Sequence, residues 1–235
     1  IEEAKKLTWH HDVGFMINCS FGNGWRTTKV PRYKEVMIEA ARSLATRFRE
    51  KPGIIQSWDV TRGWQSERGW ECPVIIDNMM NLEMLMWASK NSDNPKFAEI
   101  AKSHADVTMK HHFRPDYSSY HVISYDTISG QPEKKNTCQG YAHESCWARG
   151  QGWALYGYTM MYRETGQEKY LQHATNVARF IMNHPRLPED KIPYWDFDAP
   201  GIPNELRDAS AGALMASAFI ELSQYTEGDF SKQCL

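Results

Sequence analysis

Three stretches of this chain repeat one arrangement of apolar and polar positions. They begin at Pro31-Arg32-Tyr33-Lys34, Pro95-Lys96-Phe97-Ala98 and Glu168-Lys169-Tyr170-Leu171. In each, an alanine follows the aromatic eight positions on (Tyr33/Ala41, Phe97/Ala105, Tyr170/Ala178). Eight positions are close to two helical turns, so each pair shares a face. Lys, Arg and Glu fill the other faces, which predicts outer, solvated helices, two of them opened by a proline where its missing N–H costs least. A second kind of segment is apolar nearly all round: Val74 to Ser89, Trp147 to Thr165 and Ala209 to Tyr225. The run Met79, Met80, Leu82, Met84, Leu85, Met86, Trp87 is an example, and helices of that composition are buried. Alternating buried and solvated helices predict a repeated helical hairpin with variable loops, and an α/α toroid with one helical ring inside another.

Two segments break the pattern. Tyr117 to Asp126 is aromatic and β-branched with Gly130 behind it, which predicts a short extended excursion or hairpin. Leu187 to Leu206 contains Pro188, Pro193, Pro200 and Pro203; it cannot be one long helix and is predicted to be a rim loop. With 235 residues the chain has enough material for one full core, and a single domain over residues 1–235 is expected.

Charge changes the picture by exclusion. Lys and Arg number 27 against 29 Asp and Glu, with no basic run, so nucleic acid is not an expected partner. No apolar stretch reaches the ~18 residues of a membrane span, and no membrane role is expected. Cys19, Cys72, Cys138, Cys146 and Cys234 form no close-spaced pair, which argues against a disulfide framework or a zinc site. Cys146 reads as a small apolar residue. Nine tryptophans serve aromatic helix packing first, and they also suit the flat faces of sugars.

The candidate chemistry gathers where apolar helices begin. Asp77 stands among Ile75, Ile76, Met79 and Met80, where a carboxylate is costly without a role. Such surroundings raise a carboxyl pKa toward the range of proton transfer; the plainer reading is a helix N-cap. Asp12, beside His10 and His11, has the same plain reading. Two acids at one cavity are the usual equipment for cleaving glycosidic bonds. Gln139 to Trp153 sets Trp147 and Trp153 around Arg149, whose donor fork matches a carboxylate; an ion pair within the protein is the alternative. His121 lies on the extended segment, where a backbone-satisfied histidine is the plain reading. Trp58 and Trp64, flanking Asp59 and Arg62, are stacking walls or a loop anchor.

These motifs resemble one family, the unsaturated glucuronyl hydrolases of glycoside hydrolase family 88. The resemblance rests on His11-Asp12-Val13-Gly14-Phe15, Ile76-Asp77-Asn78-Met79-Met80-Asn81-Leu82, Gln139-Gly140-Tyr141, Trp147-Ala148-Arg149-Gly150-Gln151-Gly152-Trp153, Pro193-Tyr194-Trp195-Asp196-Phe197-Asp198 and Arg207-Asp208-Ala209-Ser210-Ala211, in the family's order. It implies an all-α (α/α)6 barrel acting in bacterial polysaccharide degradation, in the cytoplasm or periplasm. The implied substrate is an oligosaccharide, of glycosaminoglycan type, that a lyase has left with a 4,5-unsaturated uronic acid at its non-reducing end. The implied reaction hydrates the vinyl ether: a proton goes to C4, water adds at C5, and the hemiketal opens. By resemblance Asp77 is the general acid and base, and Asp12 the second carboxylate. His11, His121, Gln139, Trp147, Arg149 and Trp153 match pocket positions, and Trp58 a stacking wall. No metal or organic cofactor is implied. Two other functions fit less well: hydrolysis of unsaturated rhamnogalacturonyl fragments, and non-catalytic sugar binding on the same fold. Against the family pattern the chain is short for twelve helices and is expected to lack N- and C-terminal segments of the full domain.

Overall fold

The structure, a computed structural model, describes residues 1–61 and 63–235; Arg62 lies outside the described residues. The chain divides into two compact units. Unit 1 comprises Ile1–Thr108 and Ile123–Lys134, and unit 2 comprises Met109–Val122 and Lys135–Leu235.

Unit 1 opens with a 3-10 turn (Glu2–Lys6) and a helical run made of α1 (Val13–Ile17), a π-helical turn (Asn18–Gly22) and α2 (Asn23–Thr28). The run packs against α3 (Pro31–Ala45). Helix α4 (Leu82–Asn91) buries Leu82, Met84, Leu85, Met86 and Ala88, while α5 (Lys96–His111) leads toward unit 2. The strands β1 (Phe48–Arg49) and β2 (Ile54–Ile55) pair antiparallel, with Phe48 opposite Ile55. A second sheet has the order β3 (Cys72–Ile75), β4 (Val122–Tyr125), β5 (Pro132–Asn136).

The predicted excursion is therefore strand β4, joined to β5 through a turn in which Gly130 adopts φ +74°. A side chain at Gly130 would also meet the Lys51 carbonyl oxygen at 2.6 Å. The predicted helix over Val74 to Ser89 needs correction. Its first part is strand β3 and a 3-10 turn (Ile76–Asn81), and the α-helix starts only at Leu82. The run Cys72-Pro73-Val74-Ile75 is buried on both faces and pairs with β4. A short apolar run of that kind does not distinguish a buried strand from a buried helix.

Unit 2 is built on α6 (Ala148–Thr165), which packs against α7 (Glu168–Asn183) and α8 (Ala209–Ser223); α9 (Gly228–Gln233) follows. Gly152 lets α8 approach α6 closely, since a Cβ there would lie 3.0 Å from Leu214. Ala41, Ala105 and Ala178 are fully buried, as the repeated stripe predicts. Helix α8 differs from α4 and α6. It buries a single stripe, Ala211, Met215, Ala218 and Leu222, and leaves Ala213, Ala216 and Ile220 exposed. Residues between α7 and α8 form an irregular segment tied down by isolated bridges Trp147↔Asp196 and Tyr194↔Arg207. No helix of the described residues is long and apolar enough to cross a membrane.

Candidate active site

In unit 1 the predicted residues gather around a buried polar ladder. The Asn78 amide donates to the Ile55 carbonyl at 2.7 Å, and the Asn81 amide donates to Asn78 Oδ1 at 2.9 Å. The same Asn81 nitrogen stands 3.0 Å from His11 Nδ1. An amide NH2 only donates, so Nδ1 accepts and the ring proton sits on Nε2. His11 Nε2 lies 3.4 Å from Asp12 Oδ1. Burial pushes the His11 pKa down to about 4, against the pull of Asp12, so this histidine is neutral near pH 7. Gly14 belongs to the ladder by absence: a Cβ there would stand 2.2 Å from Asn81 Oδ1.

Neither acid acts as a helix cap through its side chain. Asp12 precedes α1 without capping it, its side chain 49% exposed and 3.4 Å from His10 Nδ1. Asp77 sits in the first turn of the 3-10 segment Ile76–Asn81 rather than at its cap, with Oδ2 buried. Helix α1 packs against the 3-10 turn that carries Asp77, so His11, Asp12 and Asp77 occupy adjoining elements.

Trp58 is attached to the same group. His10 and Trp58 form an antiparallel bridge, the His11 amide donates to the Ser57 carbonyl, and the His11 ring meets Trp58 edge-on at 6.3 Å. Arg47, only 1% exposed, locks both strands of this bridge. It donates to the Gln56 carbonyl at 2.7 Å, to the Thr8 carbonyl, and to Asp59 Oδ1 at 3.1 Å. Nothing in the sequence pattern marked Arg47. Asn78 and Asn81 did carry a signal, since they interrupt an apolar run as Asp77 does.

In unit 2 the predicted residues lie just ahead of β4 (His121), in the loop before α6 and in the first turns of α6. His121 Nδ1 accepts from the backbone amides of Cys138 and Gln139, both at 3.2 Å, and its ring lies 4.4 Å from that of Trp147. The two amides fix the tautomer with the proton on Nε2. Trp147 is 4% exposed, so it serves as a brace against His121 more than as an open platform. Gln139 itself is exposed.

Two carboxylates hold this loop. Buried Asp196 accepts from the Tyr141 amide at 2.9 Å, the Ser145 hydroxyl at 2.7 Å and the Asp198 amide at 2.8 Å. Asp198 accepts from the Cys146 amide at 3.0 Å. Burial pushes the Asp196 carboxyl up while these donors pull it down. Cys146 is buried and burial raises its thiol pKa, which disfavours the nucleophilic thiolate. Gln151 is fully buried and reaches the Ser119 amide at 2.9 Å and the Tyr117 carbonyl at 2.7 Å.

Arg149 meets a protein carboxylate. Its Nε and Nη2 both reach Asp208 Oδ2, at 3.0 and 2.9 Å. Asp208 Oδ1 meanwhile caps α8 by accepting from the Ala211 amide at 2.8 Å. The Arg149 side chain remains 38% exposed and lies over Trp147 at 5.4 Å, leaving Nη1 for a second anion. Trp153 follows one turn along α6 on the same side. A separate cavity of about 520 Å3 in unit 2, between α7 and α9, is lined by none of these residues.

Comparison with known proteins places this arrangement. The structure matches the crystal structure of an unsaturated glucuronyl hydrolase specific for heparin with a TM-score of 0.92 and 47% identity, over 99% of this chain and 62% of that one. The fold is thus that of the α/α-toroid hydrolases. The family model described as Glycosyl Hydrolase Family 88 matches residues 10–164, and the chain belongs to that family. An unsaturated glucuronyl hydrolase of Formosa agariphila is 48% identical over 241 residues, covering 100% of this chain and 59% of that protein. An unsaturated chondroitin disaccharide hydrolase of Streptococcus pyogenes serotype M1 is 32% identical over 213 residues, covering 91% of this chain and 52% of that protein. The chain therefore spans between half and two thirds of the length of these relatives.

Proposed function

We propose that this protein releases the 4,5-unsaturated uronic acid from the non-reducing end of glycosaminoglycan fragments left by a lyase. Support comes from family membership joined to one observation: His11, Asp12 and Asp77 lie on packed elements of unit 1, with His11 held neutral. In this reading Asp77 delivers its proton to C4 of the vinyl ether, and positive charge develops at C5. Asp12 faces that charge beside a histidine that adds no positive charge of its own. Water adds to C5 and yields a proton to the Asp77 carboxylate, which restores the acid. The C5 hemiketal then opens and frees the remaining saccharide. Trp58 stacks on the sugar, and Gln139, His121, Trp147, Arg149 and Trp153 serve as substrate contacts. Arg149 binds the uronate through Nη1 while Asp208 holds the opposite edge of the guanidinium. The scheme calls for no metal or organic cofactor.

The test is loss of the enol-ether absorbance with unsaturated disaccharides from chondroitin, hyaluronan and heparin, set against rhamnogalacturonan-derived ones. Turnover of the first group alone is the expected result. Turnover confined to rhamnogalacturonan fragments, or binding without turnover of any, contradicts the proposal.

A further inference from the structure

In unit 2 a tight hairpin separates α5 from β4. The Tyr120 amide donates to the His112 carbonyl at 2.8 Å and the Arg114 amide to the Ser118 carbonyl at 2.9 Å, while Phe113 and Ser119 form a bridge. At the tip Tyr117 takes φ +70°. That left-handed conformation is rare for a bulky side chain and persists only where its surroundings hold it. Two side chains do so from opposite sides. Gln151 accepts from the Ser119 amide at 2.9 Å and donates to the Tyr117 carbonyl at 2.7 Å. Arg114 Nη1 donates to the Ser119 carbonyl and to the Ser118 hydroxyl, both at 3.2 Å. His121 follows Ser119 by two residues, so the backbone that carries it is fixed just ahead of it.

The rest of the Arg114 guanidinium faces the 139–146 loop. Nη2 reaches the Ser145 carbonyl at 3.4 Å and the His143 carbonyl at 3.5 Å, and Nε lies 3.6 Å from the Glu144 carboxylate. The guanidinium carbon sits over the Tyr120 ring at 3.7 Å, and the Tyr120 hydroxyl donates to Glu144 at 3.2 Å. Only 14% of the Arg114 side chain is exposed. Asp196 and Asp198 hold the amides of this loop, but a carboxylate offers nothing to a carbonyl. Arg114 supplies the missing donors. Bonds of this length are weak singly; these come from one rigid plane already fixed by Ser118, Ser119 and Tyr120. We infer that Arg114 is a positioning residue for substrate binding. It locks the 139–146 loop to the hairpin ahead of β4 and so sets Gln139 and His121 relative to each other. Arg114 acts through these two side chains and not on the sugar. This inference rests on the glycosidase reading, with His121 and Gln139 as substrate contacts.

The experiment measures turnover and calorimetric binding of an unsaturated chondroitin disaccharide by the unaltered chain, R114M, R114K and R163M, each well below its melting temperature. R163M removes the pair of bonds from Arg163 on α6 to Glu221 on α8, at 2.8 and 3.0 Å, and controls for a general loss of stability. R114M should raise KM and Kd about three- to tenfold, the scale of ordering a few side chains on binding, with kcat little changed. R114K should raise them nearly as much, because an ammonium lacks the planar fork. R163M should leave KM as it is. If R114M does not fold, R114K decides. An unchanged KM in R114K, an equal rise in R163M, or a fall in kcat without a rise in KM overturns the role of Arg114 alone. Binding without turnover by the unaltered chain, weakened in R114K, overturns the glycosidase reading and supports Arg114. An unaltered chain that neither binds nor cleaves the disaccharide overturns both.

Discussion

The two units hold most of their candidate site residues by different means. In unit 1 the ladder behind Asp12 is uncharged: the Ile55 carbonyl, Asn78, Asn81 and a histidine kept neutral by burial. In unit 2 the supports are charged. Asp208 takes Arg149, and Asp196 and Asp198 hold the 139–146 loop through backbone amides. The difference has a physical sense. A carboxylate meant to face developing positive charge loses value if a fixed cation already neutralises it. A loop that only has to keep its shape gains from charge-assisted bonds, which are shorter and stronger than neutral ones.

The largest expected effect comes from Arg47, a charged clamp of unit 1. Arg47→Met should cost ~2–4 kcal/mol in denaturant unfolding, since it leaves the Gln56 and Thr8 carbonyls without their buried donor. A loss below about 1 kcal/mol would show that the Thr8 and Gln56 carbonyls find other donors. Asn81→Leu probes the neutral ladder and should cost ~1–3 kcal/mol, because His11 Nδ1 and Asn78 Oδ1 are left without a donor. It should also lower activity by freeing the His11 tautomer, and unchanged kcat/KM would remove the ladder from the catalytic account. In unit 2, Asp208→Ala should cost ~0.5–2 kcal/mol through the α8 cap, with KM for uronyl substrates raised by a loosened Arg149. A change in kcat alone would speak against Arg149 as a ground-state contact.

Acidification acts on both units. His11 and His173 are pushed down to about 4 and His104 to about 3, each mainly by burial. Their ordinary value is 6.5. Between these limits the unfolded chain binds more protons than the folded one, so stability falls as pH drops from about 6.5 toward 4. Melting temperatures measured across that interval should decline steadily; a flat profile would contradict the burial of neutral histidines.

Much of the fold was legible because it rests on periodicity. The stripe Tyr33/Ala41, Phe97/Ala105, Tyr170/Ala178 marked α3, α5 and α7 from spacing alone, and Trp147 to Thr165 became α6 with Trp147 just ahead of it. The segment around Asp77 was not legible as strand and 3-10 turn. Its pairing partner β4 lies far along the chain, and only tertiary contact decides how a buried apolar run folds. The same limit governed side-chain partners. Arg149 announced a fork for carboxylate, but the carboxylate it meets, Asp208, stands next to a different helix. Asp77 drew notice by its charge, while the neutral Asn78 and Asn81, set in the same apolar run, were passed over. Arg47 carried no local mark at all, because its neighbours are distant backbone carbonyls.

The most direct test of the account is Asp77→Asn, followed by both absorbance-detected turnover and calorimetric binding of an unsaturated disaccharide. The account predicts that turnover falls by ~100-fold or more, the scale of a lost general acid, with the dissociation constant little changed. Turnover equal to that of the unaltered protein, with the disaccharide still bound, would contradict it.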